Sequence, residues 1–262
     1  MPEGHTVHRI ANEFNARFRG RRLRIDSPQG RFVDAKLIDG AKLVNALAVG
    51  KQLFLNFGEN LTLRIHLGIY GKWQFHDSIP EVVGQVRARF VSAGGCAELR
   101  GPTICEVITD EEVATVLERL GPDPLNPDDA GAEQNRFLKR IQKSSTPIGL
   151  LLMNQDVISG IGNVYRAELL FRAKLSPHVP GNKLTTRQVS QLWLDSKHLL
   201  EWGVRHGVMI TRDEFLEVDP GKETRNWVYK RENQPCRKCK TPVVLEIMAS
   251  RKLYWCPKCQ KG

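Results

Sequence analysis

The chain has 262 residues, of which 41% are apolar and 26% charged, and this composition is typical of a folded protein with room for two domains. Its 39 Lys and Arg against 29 Asp and Glu give a net charge of +10, which favours a polyanionic partner such as nucleic acid. No stretch approaches the roughly 18 apolar residues of a membrane span, and the N-terminus lacks the apolar run of a signal peptide, so we expect a cytoplasmic protein without a membrane partner.

The N-terminal part of the chain begins with a predicted helix. Apolar residues at helical spacing place it over residues 5–18, directly after Met-Pro-Glu-Gly. From Arg22 to about Ile108, short β-rich runs are separated by Gly, Asn and Pro, which is typical of an antiparallel sandwich or barrel. The runs are Gln52–Phe57, Leu61–His66, Tyr70–Phe75 and Val86–Val91.

The second half of the chain is predicted to be helical. Residues 120–130 contain three prolines and no periodicity, which indicates a linker. Three helices follow, from Thr146-Pro147 to about Gln155, over Val164–Ala173, and from Thr186 to about Arg205. We therefore predict an α+β protein with an N-terminal domain (1–120), a linker (121–131), a helical domain (132–222) and a terminal module (223–262).

The terminal module carries two cysteine pairs, Cys236-x2-Cys239 and Cys256-x2-Cys259, separated by sixteen residues. This spacing is typical of a zinc ribbon in which four thiolates hold one structural ion. Because all four positions would be taken by protein sulfur, catalysis must lie elsewhere. A disulfide pair or a redox Cys-x-x-Cys are the alternatives.

The same module is the most basic part of the chain. Residues 221–262 hold 11 Lys and Arg against 3 Glu, and the predicted hairpin of strands Val243–Met248 and Lys252–Trp255 carries Arg251 at its tip. That tip is where a ribbon would reach a phosphate, although a solvated arginine is the simpler interpretation.

Several motifs occur together in a fixed order along the chain. They are Pro2-Glu3-Gly4, Gly50-Lys51 before a strand, Gly160-Ile-Gly-Asn163, and the four-cysteine ribbon. In this combination the chain resembles the formamidopyrimidine-DNA glycosylase and endonuclease VIII family over essentially its whole length. The resemblance implies an N-terminal β-sandwich with flanking helices, a helix-two-turn-helix domain, the zinc ribbon, and damaged double-stranded DNA as the partner.

The resemblance also implies roles for individual residues. Pro2, once Met1 is removed, would attack C1′ of a damaged nucleotide and form a Schiff base, with Glu3 as acid–base residue and Lys51 as phosphate contact and proton-transfer aid. Asn163 and Arg251 match the pair that grips phosphate in this family. Ile69 and Tyr70 follow a strand where the family has a wedge loop that fills the space of an extruded base. The alternative for these two residues is the sandwich core.

Two departures from the family pattern affect the expected substrate. Thr6 stands where most members have a second glutamate, and the stretch Leu99-Arg-Gly-Pro-Thr-Ile-Cys105 replaces a loop motif of the 8-oxoguanine branch. We therefore expect the endonuclease VIII-like branch, similar to actinobacterial enzymes that begin Pro-Glu-Gly-His-Thr, with a preference for oxidised pyrimidines. Arg100 is a candidate contact to the opposite DNA strand.

The predicted function is a bifunctional DNA glycosylase and abasic-site lyase of base excision repair that cleaves the strand by β,δ-elimination. The alternatives are a zinc-ribbon nucleic-acid binder without chemistry, an oxidised-purine glycosylase, and a lyase with little base excision. We expect a monomer associated with the bacterial nucleoid when bound to DNA. Single-stranded or forked DNA is the alternative substrate form.

Overall fold

A computed structural model describes residues 2–215, 221 and 224–261, and within it the chain divides into two compact units, Met1–Arg119 and Leu120–Gly262. Met1, whose removal would free the Pro2 amine, lies outside the described residues, as does the predicted boundary between residues 222 and 223.

The first unit contains a long helix, two short ones and two antiparallel four-stranded sheets. One sheet has the strand order β1-β6-β7-β5 and the other β2-β3-β4-β8. The helices are α1 (Gly4–Phe18), α2 (Ala35–Ile38) and α3 (Asp110–Arg119). The strands are β1 (Arg24–Asp26), β2 (Asn45–Val49), β3 (Gln52–Asn56), β4 (Thr62–His66), β5 (Lys72–His76), β6 (Ala88–Ser92), β7 (Gly95–Arg100) and β8 (Ile104–Ile108).

A single hydrophobic core joins α1 to both sheets. Val7, Ile10 and Phe14 lie on the buried face of α1, as their helical spacing predicts. Phe14 is fully buried and meets Trp73 of β5 edge-on, with ring centroids 4.7 Å apart. Apolar residues alternate inward along the strands, so the predicted antiparallel sandwich is confirmed.

The second unit is helical and carries a two-stranded ribbon. Its helices are α4 (Ala132–Gln142), α5 (Ile148–Leu151), α6 (Asn163–Arg172) and α7 (Thr186–His206), and its strands are β9 (Val244–Met248) and β10 (Arg251–Trp255). Thr185 begins α7 with a capping box to Gln188, and Gly207 ends it in the left-handed conformation. The ribbon packs its own small core against Ala167 and Phe171 of α6.

Two parts of the second unit differ from the sequence expectation. The stretch predicted as a linker, residues 121–131, belongs to this unit: residues 120–124 are buried, Gly121 donates to the Gln155 carbonyl, and Ser159 donates to the Pro122 carbonyl. The helix predicted from Thr146-Pro147 to about Gln155 was too long, because α5 ends at Leu151. Beyond it the Asn154 side chain accepts the Asp156 N–H, a local bond that competes with helix continuation.

Candidate active site and nucleic-acid contacts

Pro2 and Glu3 lie immediately before the first turn of α1. Glu3 has extended backbone angles at the N-cap position, its carbonyl accepts the Thr6 N–H at 2.9 Å, and its side chain is fully buried. The positive end of the helix dipole therefore faces this pair of residues. Such a field stabilises a carboxylate and disfavours a protonated amine.

The Gly50-Lys51 pair forms the two-residue loop of a β-hairpin. Val49 of β2 is paired with Gln52 of β3, and Gly50 at the first loop position has a φ of +59°. Lys51 thus projects from a short, defined turn. It lines one small pocket together with Pro2 and His66, so the structure brings the predicted amine and the predicted lysine together.

His66 is a residue of this pocket that the sequence argument did not single out. It ends β4, and its strand register places it opposite Gln52, next to Lys51. Burial lowers the pKa of the imidazole, and the positive charges of Lys51 and Arg64 lower it further. The sequence feature that could have identified His66 is its position as the first residue of the motif His66-Leu-Gly-Ile-Tyr-Gly.

The loop after His66 holds two large side chains in solvent. Ile69 is 51% exposed and Tyr70 is 85% exposed, so neither continues the sandwich core. The loop is tight, because Gly71 donates to the Leu67 carbonyl at 2.9 Å and a Cβ at Gly71 would lie 2.2 Å from that oxygen. A rigid base therefore presents both side chains.

Arg100 is engaged within its own unit. Its guanidinium donates to the buried Glu98 carboxylate at 2.6 Å and to the Val83 carbonyl at 2.6 Å. This arrangement gives a structural reason for an arginine at the end of β7. It offers no support for the predicted contact to the opposite DNA strand.

His5 and Thr6 occupy the first turn of α1. Thr6 Oγ1 lies 3.2 Å from His5 Nε2, and His5 is 3% exposed. Burial lowers the pKa of His5 to about 4, with neighbouring positive charges adding to the effect. His5 is therefore neutral at physiological pH and adds no charge beside Pro2.

Asn163, the first residue of α6, contacts the ribbon strand. Its Nδ2 donates to the Lys252 carbonyl at 2.8 Å, and its Oδ1 accepts from the fully buried guanidinium of Arg166. Because Arg166 can only donate, the amide oxygen faces it and the amide NH2 faces β10. Arg251, the neighbour of Lys252, is exposed at the start of that strand. The two residues predicted to grip phosphate therefore belong to one local assembly.

The hairpin that carries Arg251 has a two-residue turn. Met248 is paired with Arg251, which leaves Ala249 and Ser250 in the loop with φ values of +48° and +60°. Arg251 is thus the first strand residue after the turn, and the tip itself is Ala-Ser, one residue away from the predicted position.

The four cysteine sulfurs form a compact cluster. All four lie within 4.8 Å of one another, with Cys236 and Cys259 3.9 Å apart and Cys239 and Cys256 3.4 Å apart. A tetrahedral ion with bonds of about 2.3 Å requires sulfur separations of about 3.8 Å, so the cluster fits zinc. Gln260, which accepts the Cys256 N–H and donates to the Leu175 carbonyl, fixes the cluster to the helical part of the unit.

A second, larger pocket lies in the helical unit and was also missed from sequence. It has a volume of about 760 Å³ and is basic, with Arg225, Lys230, Arg231 and Arg237 in its lining. Its wall is held from beneath by one fully buried carboxylate, Glu168 of α6. That carboxylate accepts the backbone N–H groups of residues 227–229 at 2.7–2.9 Å, and these donors lie some sixty residues away along the chain.

Among the described residues, no helix is both long and apolar enough to cross a membrane.

Comparisons with known proteins cover nearly the whole chain. Residues 1–101 match the model of the formamidopyrimidine-DNA glycosylase N-terminal domain, residues 120–214 match its H2TH domain, and residues 233–262 match the zinc finger found in FPG and IleRS. The chain is 43% identical to "Endonuclease 8 1" of Mycobacterium tuberculosis, across 99% of this chain and all of that protein.

Solved structures give the same result. The crystal structure of the MutM (Fpg) protein from Thermus thermophilus is 29% identical, with a TM-score of 0.80 over 99% of this chain and 98% of that one. A Lactococcus lactis formamidopyrimidine-DNA glycosylase bound to DNA with an AP site shares the fold, with a TM-score of 0.82 at 22% identity over 99% and 100% of the two chains.

Proposed function

This chain belongs to the family of formamidopyrimidine-DNA glycosylase and endonuclease 8, DNA glycosylases of base excision repair, and we propose that it is bifunctional, excising oxidised bases and then cleaving the strand. The observation that carries the proposal is the pocket lined by Pro2, Lys51 and His66, next to the buried Glu3 at the positive end of α1.

Pro2 is the proposed nucleophile. With Met1 removed, its secondary amine attacks C1′ of the damaged nucleotide, the glycosidic bond breaks, and the base leaves with the bonding pair and takes a proton from water. An α-amino group titrates near pH 8 (about 7.7–8.0), so a useful fraction is neutral at physiological pH. The dipole of α1 favours that neutral form further.

Glu3 and Lys51 supply the proton transfers. Glu3, held as an anion at the helix N-terminus, takes the proton from the Pro2 nitrogen after the attack and passes it to the ring oxygen as the deoxyribose opens and the iminium forms. Lys51 contacts the neighbouring phosphate from the hairpin turn. A neutral His66 adds a hydrogen-bond donor to the same pocket without further charge.

The iminium makes the strand breaks possible. It acidifies C2′, so a proton leaves that carbon and the C3′–O bond breaks in β-elimination. A second deprotonation breaks the C5′–O bond in δ-elimination. Water then releases the sugar fragment from Pro2, leaving a one-nucleotide gap with phosphate on both ends.

Lesion access depends on the exposed loop and on the phosphate contacts. Extruding a nucleotide leaves a gap in the stack, and the exposed Ile69 and Tyr70 are placed on a rigid base to fill it. Arg251 contacts phosphate together with the second amide hydrogen of Asn163, whose first hydrogen is donated to the Lys252 carbonyl, and the α6 N-terminus adds its dipole. One structural zinc ion in the four-cysteine cluster keeps β9 and β10 folded, and no reaction step passes through it.

Oxidised pyrimidines in duplex DNA are the proposed substrates. The stretch from Leu99 to Cys105 comprises the end of β7, a turn of three residues (101–103) and the start of β8, without the motif of the 8-oxoguanine branch. The identity to a protein named Endonuclease 8 1 is 43%, against 29% to the formamidopyrimidine-DNA glycosylase of Thermus thermophilus, and this difference supports the same preference.

Borohydride trapping tests the proposal. Duplexes carrying thymine glycol, dihydrouracil, 8-oxoguanine or an abasic site are incubated with the protein, with a variant extended by a few residues before Pro2, and with a control extended equally at the C-terminus. We expect covalent adducts for the protein and the C-terminal control, strongest on the pyrimidine lesions and the abasic site, and none for the N-terminally extended form. Good DNA binding without an adduct on any duplex would favour a zinc-ribbon binder instead.

A further inference from the structure

Thr103, in the turn between β7 and β8, contacts His66 at three points. Its backbone N–H donates to the His66 carbonyl at 2.9 Å, and its hydroxyl lies 2.9 Å both from that carbonyl and from the imidazole Nδ1. The two residues are 37 positions apart in sequence. Thr103 therefore holds both the backbone and the ring of a residue that lines the Pro2 pocket.

The contacts at Nδ1 define the tautomer of the His66 ring. The Gly68 N–H donates to Nδ1 at 3.2 Å, so Nδ1 is an acceptor and the proton of the neutral ring is on Nε2. The Thr103 hydroxyl, which donates to the His66 carbonyl, lies at the same 2.9 Å from Nδ1, so its single proton is shared between these two acceptors. Within the part of the chain that the structure describes, the hydrogen bonds of the ring lie at Nδ1, which leaves the Nε2–H for a ligand of the pocket.

The methyl group of Thr103 has a separate contact with the exposed loop. Gly68 has a φ of +64°, and a Cβ at that position would lie 2.4 Å from Thr103 Cγ2. The threonine therefore packs directly beneath the loop that presents Ile69 and Tyr70. Its hydroxyl acts on the ring of His66, and its methyl group acts on the loop that follows.

Gly101 completes the support beneath the loop. It has a φ of +54°, and a Cβ there would lie 3.7 Å from the Tyr70 carbonyl oxygen. The turn that carries Thr103 thus lies close to both ends of the loop.

We propose that Thr103 is a positioning residue that fixes His66 as the Nε2–H tautomer and links the Ile69–Tyr70 loop to the pocket of Pro2 and Lys51. The proposal deepens the glycosylase function above and rests on it. When the loop inserts into the stacked bases of bound DNA, the Nε2–H donor in the pocket already has its orientation. Less ordering of the protein is therefore needed on binding.

Three variants separate the two contacts. Thr103→Val keeps the shape and removes the hydroxyl, Thr103→Ser keeps the hydroxyl and removes the methyl group, and Thr115→Val is a matched control on the exposed surface of α3. Long-range nitrogen-15 NMR of the imidazole in the full, zinc-loaded protein reports the tautomer directly. We expect Nε2–H in the native protein, in Thr103→Ser and in the control, and a mixture of tautomers in Thr103→Val.

Trapping rates on the abasic and thymine glycol duplexes give the functional readout. Thr103→Val should slow trapping on the abasic duplex about three- to tenfold, the range expected from losing one neutral hydrogen bond. Thr103→Ser should restore the abasic rate to within about twofold, yet remain slower on thymine glycol, because that substrate depends on the loop.

The outcomes distinguish this inference from the proposed function. No trapping by the native protein on any duplex defeats the proposed function. Normal native trapping that Thr103→Val leaves unchanged, or an Nδ1–H signal in the native protein, overturns the role of Thr103.

Discussion

Ile69 and Tyr70 are large apolar side chains that the protein leaves in solvent on a loop with a glycine at either side. Their burial stabilises the fold only in part, since 51% of the Ile69 surface and 85% of the Tyr70 surface are exposed. In the proposed function these two side chains fill the gap left in the stacked bases, which suits their shape and chemistry.

Replacing both residues by alanine should separate base excision from strand cleavage. Excision of thymine glycol should fall by about tenfold or more, because nothing fills the gap left by the extruded nucleotide. Trapping on a preformed abasic site, where little is left to unstack, should fall much less. Single-turnover rates on the two duplexes give the comparison.

Leu194→Ala is the control, because Leu194 has the same 51% exposure on α7. Stability should change by no more than about 0.5 kcal/mol in both variants. Equal losses on the two duplexes would contradict a wedge role.

His5 should make the first unit sensitive to acid. The pKa of His5 is about 4 in the folded protein and 6.5 in the unfolded chain. Between pH 4 and pH 6.5 the folded protein therefore binds fewer protons than the unfolded chain. The contribution of the neutral His5 ring to the free energy of unfolding is fully present above pH 6.5. It is lost as the pH falls towards 4, and the loss amounts to about 3 kcal/mol at most.

Urea unfolding at pH 7 and at pH 4.5 measures this effect. His5→Phe should reduce the pH dependence, whereas His198→Gln, at an exposed position of α7, should not. An equal loss of stability on acidification in His5→Phe would show that other groups cause it.

Folding of the zinc ribbon is expected to depend on the binding of one zinc ion. The strands β9 and β10 have only five residues each, and Cys236 and Cys256 are themselves part of the small core beneath them. Ligation free energies of about 10–16 kcal/mol are folding free energy for such modules. Removing the ion should therefore unfold β9 and β10 and displace Arg251.

A chelation titration monitored by circular dichroism and by duplex binding tests this dependence. Ribbon structure and tight DNA binding should be lost together, while the sandwich unit stays folded because its core contains no cysteine of the ribbon. Cys239→Ser should behave like the chelated protein, and Cys96→Ser, outside the cluster, should not. A zinc-free protein that still binds DNA tightly would contradict a structural zinc site.

Elements with a strong local signal could be predicted from the sequence. The apolar stripes of α1 and α7 predict those helices to within about one residue at each end, and the cysteine spacing predicts the cluster. The length of α5 was overestimated. The hydrogen bond from the Asp156 N–H to the Asn154 side chain competes with continuation of the helix, and it depends on the conformation of the turn that follows.

Parts of the site that depend on long-range contacts could not be predicted. His66 reaches the Pro2 pocket only through the pairing of β3 with β4, and Glu168 holds a loop some sixty residues away. The pairing of Arg100 with Glu98 is local, because the two residues are two apart on β7 and share a face of the strand; what the sequence does not show is that Glu98 is buried.

Over the whole molecule, the net charge of +10 should make DNA binding strongly dependent on salt. Each phosphate contact contributes about 0.9 to the slope of log K against log salt. Arg251→Gln should lower that slope by about one unit for damaged and undamaged duplexes alike, since a phosphate contact carries no base information.

Fluorescence anisotropy across a salt series measures the slope. Lys36→Gln, an exposed cation of α2 with no predicted role, provides the control and should leave the slope unchanged. An unchanged slope in Arg251→Gln would place Arg251 outside the phosphate interface.

The identity of the nucleophile is the central claim, and Lys51, an amine in the same pocket, is its direct competitor. Peptide mapping by mass spectrometry of the borohydride-trapped complex locates the deoxyribose remnant on one residue. We expect the remnant on the N-terminal peptide, on the nitrogen of Pro2 after loss of Met1. A remnant on Lys51, with Pro2 unmodified, would contradict the account.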